Sequence, residues 1–202
     1  CAVAVDLDTE EIHRFRPGED EDLLYLLRSA SLIAGHNIVD YDLPVLEQLC
    51  SWRPRAGTEL LDTRIAAEMA YPRDRLFRLN DKCKKLRGPA PDGFIGGHSL
   101  KMWAWRVGSY KGSFGETTDW KTFSEEMLDY CQQDVLSNAE VLMWLIKRSG
   151  FSMESMILDS QCAAILRRQR INGIKLNIPA AVDLGNELAA RRDELASELR
   201  EV

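Results

Sequence analysis

At 202 residues, 45% hydrophobic and 29% charged, with a formal net charge of −6, the chain has the apolar content for one substantial core plus an appendage and is too acidic for wholesale phosphate binding. No apolar run approaches the roughly 18 residues of a membrane span, and Cys1-Ala2-Val3-Ala4-Val5 lacks the basic flank of a signal peptide. Five cysteines with no C-x-x-C pair exclude a disulfide framework and a zinc site, so reduced thiols in a cytoplasmic setting are expected.

The chain starts with an apolar run under way and stops mid-helix at Glu201-Val202, which reads as a piece of a longer protein. Alternation through Cys1 to Leu7 and again through Glu11 to Phe15 predicts two strands, with Asp8-Thr9-Glu10 as the hairpin turn. Glu21 to Ser29, with leucines at 23, 24, 26 and 27, predicts a helix, and Ser31 to Gly35 a short buried strand. Asp42-Leu43-Pro44 predicts a helix start with Asp42 as its capping acid. Leu60 to Thr63 predicts another strand end, with Asp62 capping a helix over Arg64 to Ala70. Arg73 to Arg87 is read only as a basic stretch, Pro89 to Gly97 as a loop, Ser99 as the cap of a short helix to Gly108, and Gly112 to Trp120 as irregular.

Thr122-Phe123-Ser124-Glu125 fits a capping box opening a helix that runs to Lys147-Arg148 and ends at Gly150. A helix over Glu154 to Arg170, a turn at Asn172-Gly173 and a helix from Pro179 with Leu184, Leu188, Leu195 and Leu199 along one side follow. The expected class is α/β, a mixed sheet flanked by helices followed by a helical segment, with a domain boundary near Gly150 (1–150 and 151–202).

Tyr130 and Asp134 stand one turn apart on the long helix, so hydroxyl and carboxylate project from one face. Asp42, at a strand-to-helix junction, is placed at the rim of a sheet. Two carboxylates and a phenol suit phosphodiester hydrolysis, in which Mg2+ or Mn2+ ions held by several carboxylate oxygens clamp the attacking and leaving oxygens, and a tyrosine orients the attacking water. The bare spacing is equally that of a solvated helix face. His36 and His98 read as hydrogen-bonded structural groups, and Trp103 and Trp144 as core rather than base-stacking platforms.

His36-Asn37-Ile38-Val39-Asp40-Tyr41-Asp42-Leu43-Pro44-Val45-Leu46 resembles the second exonuclease motif of phage T7-type family A DNA polymerases, and Tyr130-Cys131-Gln132-Gln133-Asp134-Val135 resembles their third, Y-x-x-x-D. Gly97-His98-Ser99-Leu100-Lys101-Met102-Trp103 with Arg106-Val107-Gly108 and Lys111-Gly112 is similar to the linking helix and loop between them. Ile165 to Gly173 and Glu187 to Arg192 are similar to the start of the polymerase domain. The resemblance implies an RNase H-like (DnaQ-like) 3′ to 5′ proofreading exonuclease domain joined to the first polymerase helices. Asp42 and Asp134 would be metal ligands for Mg2+ or Mn2+, and Tyr130 would hold the nucleophilic water. The implied partners are single-stranded or primer-template DNA, the remainder of the polymerase chain, and a processivity factor outside this segment.

Asn37, Arg78, Lys82, Lys84 and Lys85 would contact DNA; a solvated charged face fits the lysines and arginine as well. The family's first motif, D-x-E on the opening strand, has no counterpart here. Cys1 onward matches the family's second strand, which implies that the first lies upstream and that these residues alone are nearly inactive. Two other readings fit the same residues: an RNase D-like or RNase T-like exonuclease acting on RNA, and a non-catalytic DNA-binding scaffold of the same fold.

Overall fold

A computed structural model describes residues 1–91, 96–109 and 121–200. The irregular stretch read over Gly112 to Trp120, and most of the Pro89 to Gly97 loop's centre, lie outside the described residues. By packing, the chain forms two compact units, Cys1–Arg167 and Arg168–Val202.

In the first unit β1 (Ala2–Val5) and β2 (Ile12–Phe15) pair antiparallel, from Ala2 opposite Phe15 to Val5 opposite Ile12. The turn is set by Asp6, whose Oδ1 accepts from the Asp8 and Thr9 amides at 2.8 and 3.0 Å, an Asx turn as a short acidic side chain favours. The helix α1 (Asp20–Ser29) buries Leu23 and Leu24 and leads into β3 (Leu32–Gly35). Next come α2 (Asp42–Cys50), β4 (Glu59–Asp62) and α3 (Thr63–Ala70). β3 and β4 pair parallel, in register from Leu32 opposite Glu59 to Gly35 opposite Asp62. The fold is thus mixed α/β, with two small sheets rather than one continuous sheet among the described residues.

The basic stretch forms a helix, α4 (Arg73–Arg87). Its buried seam is Leu76, Asn80 and Cys83, helically spaced but with an amide in the middle, so no apolar period marks it. Asn80 is satisfied there: its Oδ1 accepts from the buried Arg106 Nε at 2.9 Å. α5 (Leu100–Val107) has the expected Ser99 cap and ends at left-handed Gly108. α6 (Glu125–Arg148) starts two residues later than the capping box suggested: Ser124, not Thr122, accepts from the Met127 amide, at 3.2 Å.

The core gathers Leu61 of β4, Ala66, Ala67 and Ala70 of α3, Trp103 of α5, Val141, Leu142 and Leu145 of α6, and Met156 of α7 (Met153–Asn172). Tyr71, Trp103 and Trp144 touch ring to ring, at centroid separations of 5.1 to 5.4 Å, so these tryptophans are core residues as expected. Burying each such large side chain stabilises by about 1.5–3 kcal/mol, and it fixes α6 against α3 and α5. Arg14 reaches α6 at Gln132 and Asp129, and Arg16 forks onto Glu125, which seats the β1–β2 hairpin on the same helix.

The second unit takes in the end of α7 and α8 (Ile178–Glu198), capped by Asn177 with Pro179 in its first turn. Leu184, Leu188, Leu195 and Leu199 lie exposed along it.

Candidate active site at the ends of the parallel strands

Because β3 and β4 run parallel and in register, they deliver Gly35 and Asp62 to the same edge, the carboxyl end where α/β sheets place their sites. A side chain at Gly35 would put its Cβ 2.9 Å from Ile38 Cβ, so the chain turns back on itself there only with glycine. In the loop that follows, Asn37 adopts φ 66, a conformation that asparagine tolerates better than most residues.

Asp62 secures this loop. Its carboxylate accepts from the Asn37 and Arg64 amides at 2.9 Å each, from Val39 at 3.2 Å and from Ile65 at 3.4 Å. One side chain, 1% exposed, thus caps α3 as expected and also clasps the loop leading to Asp42. Burial pushes its pKa up, against the four amides, which favour the charged form.

Asp42 is the first residue of α2, and the structure corrects its reading as a capping acid: Tyr41 occupies the cap position and no side chain caps the helix. Asp42 is exposed as a residue, yet the protein around its carboxyl still partly desolvates it. Burial is the main cause of its rise to about 6; its own backbone amide opposes that rise and the Asp62 charge adds to it. On α6, burial likewise raises Asp134 to about 6, while the Tyr130 hydroxyl, donating to it from one turn away, pulls the other way. Burial, then Asp134 and, more weakly, Asp42 raise the pKa of the Cys131 thiol, while the Val3 amide of β1 donates to its sulfur. Asp134, one turn along α6 from Cys131, is thus felt by the thiol more strongly than Asp42, which acts on it from α2.

A second network lies beneath. His36 Nε2 is 2.8 Å from the His98 carbonyl and its Nδ1 is 3.0 Å from Thr63 Oγ1, so His36 is a structural, doubly bonded histidine as expected. His98 Nδ1 in turn accepts from the Trp103 indole at 3.3 Å. Burial lowers the His36 pKa to about 4, so the ring is neutral near pH 7. Arg64 bonds Asn37 Oδ1 at 3.1 Å and Glu68 at 3.0 Å, which ties up the side chain expected to touch DNA.

Of the expected site residues, Tyr130 and Asp134 are joined by a hydrogen bond on α6, Asp42 stands at the start of α2, and Asn37 is in the clasped loop. Arg78, Lys82, Lys84 and Lys85 stand exposed on α4, where Arg78, Lys82 and Lys85 share a face by helical spacing and Lys84 does not. Arg75 and Arg87 of the same basic stretch are engaged with the carbonyls of Ala70, Ser149 and Val107. No local pattern marks Thr63 and Asn138 as part of this region, although Asn138 is the next i+4 step after Tyr130 and Asp134 on α6. Among the described residues no three His, Cys, Asp or Glu side chains are grouped to hold a metal ion. Asp42 and Asp134 are hard oxygen donors of the right type, but two carboxylates fall short of the set that two hard cations need.

No family model matches the chain. Among curated proteins it is similar to the DNA-directed DNA polymerases of Enterobacteria phage T3 and of Escherichia phage T7, 27% identical to each over 243 aligned positions that include all of this chain. The chain spans 34% of the length of those relatives.

Proposed function

We propose that this chain, similar along its whole length to the DNA polymerases of phages T3 and T7, is the 3′ to 5′ proofreading exonuclease portion of a replicative DNA-directed DNA polymerase. In this reading the first unit is an RNase H-like domain that hydrolyses 3′-terminal nucleotides from single-stranded or mispaired DNA, and the helices after about residue 150 begin the polymerase part. The observation that supports it is the Tyr130 hydroxyl bonded to Asp134 on α6, together with Asp42 at the start of the helix that follows the carboxyl end of β3. Two carboxyls held near pKa 6 by desolvation are groups that a bound divalent cation would ionise.

Asp42 and Asp134 would hold Mg2+ or Mn2+, which when bound supplies Lewis-acid polarisation of the scissile phosphate. Tyr130 orients the attacking water through its hydroxyl while Asp134 fixes the direction of that hydroxyl. A two-ion site needs further carboxylates, and β1 and β3 each pair with one strand only among the described residues. A D-x-E strand paired there would complete the set; without it these residues are nearly inactive. The work belongs in the cytoplasm, with DNA and the rest of a polymerase chain as partners and a processivity factor outside this segment.

The test is shortening of a 5′-labelled primer with a mispaired 3′ end, as DNA and as RNA, in Mg2+ or EDTA, by this chain and by a polypeptide that adds a D-x-E strand ahead of Cys1. DNA shortening by the longer polypeptide alone, blocked by EDTA, is expected. Preference for RNA would make it an RNA exonuclease, and silence of both proteins would make it a scaffold.

A further inference from the structure

Thr63 is the first residue of α3 and is 0% exposed. Its Oγ1 lies 3.0 Å from His36 Nδ1, 2.6 Å from the Asn138 side-chain amide and 3.4 Å from the Gly35 carbonyl. It therefore touches the loop that leads to Asp42 and the helix that carries Asp134.

The His98 carbonyl can only accept, so His36 Nε2 carries a proton. The Thr63 hydroxyl donates to Asn138 Oδ1 at 2.6 Å, the short distance of an O–H···O bond, while its oxygen faces His36 Nδ1 at 3.0 Å. The contacts run without a break from the His98 carbonyl through His36 and Thr63 to Asn138.

We propose that Thr63 is a positioning residue that bolts the loop after β3 to α6 and so sets the separation of Asp42 and Asp134. Asn138 is one turn beyond Asp134, about 6 Å along the helix, so holding it fixes the rotation and height of the face that carries Tyr130 and Asp134. At the other end the loop is pinned at His36 by Thr63 and at Asn37 and Val39 by Asp62, which leaves two residues, Asp40 and Tyr41, between the pinned backbone and Asp42. An ordinary satisfied core threonine would bond its own helix. Thr63 instead bonds side chains 27 residues before it and 75 residues after it.

The proposal rests on the nuclease reading for its consequence but not for its geometry, and the test separates the two. Thr63→Val keeps the shape and loses the hydroxyl; Thr63→Ser keeps the hydroxyl. In this chain, amide hydrogen exchange at Asn37 and Val39 should quicken at least about 10-fold in Thr63→Val and stay unchanged in Thr63→Ser. In the polypeptide with the added D-x-E strand, Thr63→Val should lower kcat for 3′-terminal hydrolysis and raise the half-saturating Mn2+ concentration, each about 10–100-fold as for other groups that orient metal ligands. KM for the primer should stay within about 2-fold, and Thr63→Ser should behave as wild type. Asn138→Ala breaks the same bond from the half-buried α6 side and serves if Thr63→Val does not fold. Unchanged exchange in a folded Thr63→Val or Asn138→Ala protein overturns the proposal whatever the activity. Quickened exchange with an inactive wild type overturns the nuclease reading and leaves the bolt standing.

Discussion

Asp62 and His36 show opposite solutions to the burial of a titratable group. Asp62 keeps its oxygens supplied by four amides, so Asp62→Ala strands those amides and removes the α3 cap. A loss of about 3 kcal/mol is expected in urea unfolding, from a cap worth about 1 and buried unpaired groups worth about 1–3 each. His36 is held neutral, with a folded pKa of about 4 below the unfolded value of about 6.5. Its contribution to stability is full above pH 6.5 and is lost as pH falls toward 4, about 2 kcal/mol by pH 5. Asp42 and Asp134 run the other way: raised to about 6 from 3.8, their contribution is full below pH 3.8 and lost as pH rises through 6. Asp42→Asn combined with Asp134→Asn removes that opposing effect. The double variant should therefore lose more stability than wild type between pH 7 and pH 5, and equal losses in urea titrations would contradict the assignment.

At the scale of the element, local signals were legible and long-range ones were not. The Asp6 turn, the Ser99 cap, the Asp62 cap and the left-handed Gly150 and Gly173 are written within a few residues of where they act, and the hairpin, α3, α5, α6 and α7 are accordingly readable. The capping residue of α6 shows the limit. Thr122 and Ser124 have the same chemistry, and only the backbone decides between them: Ser124→Ala should cost about 1 kcal/mol and Thr122→Ala almost nothing, by thermal unfolding. α4 escaped notice because its seam contains Asn80, whose partner Arg106 is 26 residues away. The second role of Asp62, and the roles of Thr63 and Asn138, depend on partners 23 to 75 residues distant; no pattern in a single sequence joins such pairs.

For the whole molecule, Asp42, Tyr130 and Asp134 stand out by resemblance alone, while the desolvation of Asp134 comes with the packing of α6 against β1 and α3. The basic stripe separates into residues with different roles. Arg78, Lys82 and Lys85 share an exposed face, so replacing all three with alanine should weaken single-stranded DNA binding and flatten its salt dependence by about 2 in logarithmic slope, at roughly 0.7 per phosphate contact. Lys84→Ala should leave that slope nearly unchanged, and fluorescence anisotropy at several salt concentrations checks both. The α8 leucines are exposed.

The most direct test of the nuclease account is the rate of Mg2+-dependent release of a mispaired 3′ nucleotide by the polypeptide with the D-x-E strand, compared with its Tyr130→Phe and Asp134→Asn variants. The account predicts a fall of about 10²-fold or more for Asp134→Asn, and a smaller, about 10-fold or greater, fall for Tyr130→Phe with KM for the primer little changed. Release at the wild-type rate by Asp134→Asn would contradict it, because the carboxylate at the centre of the site would then have no part in the reaction.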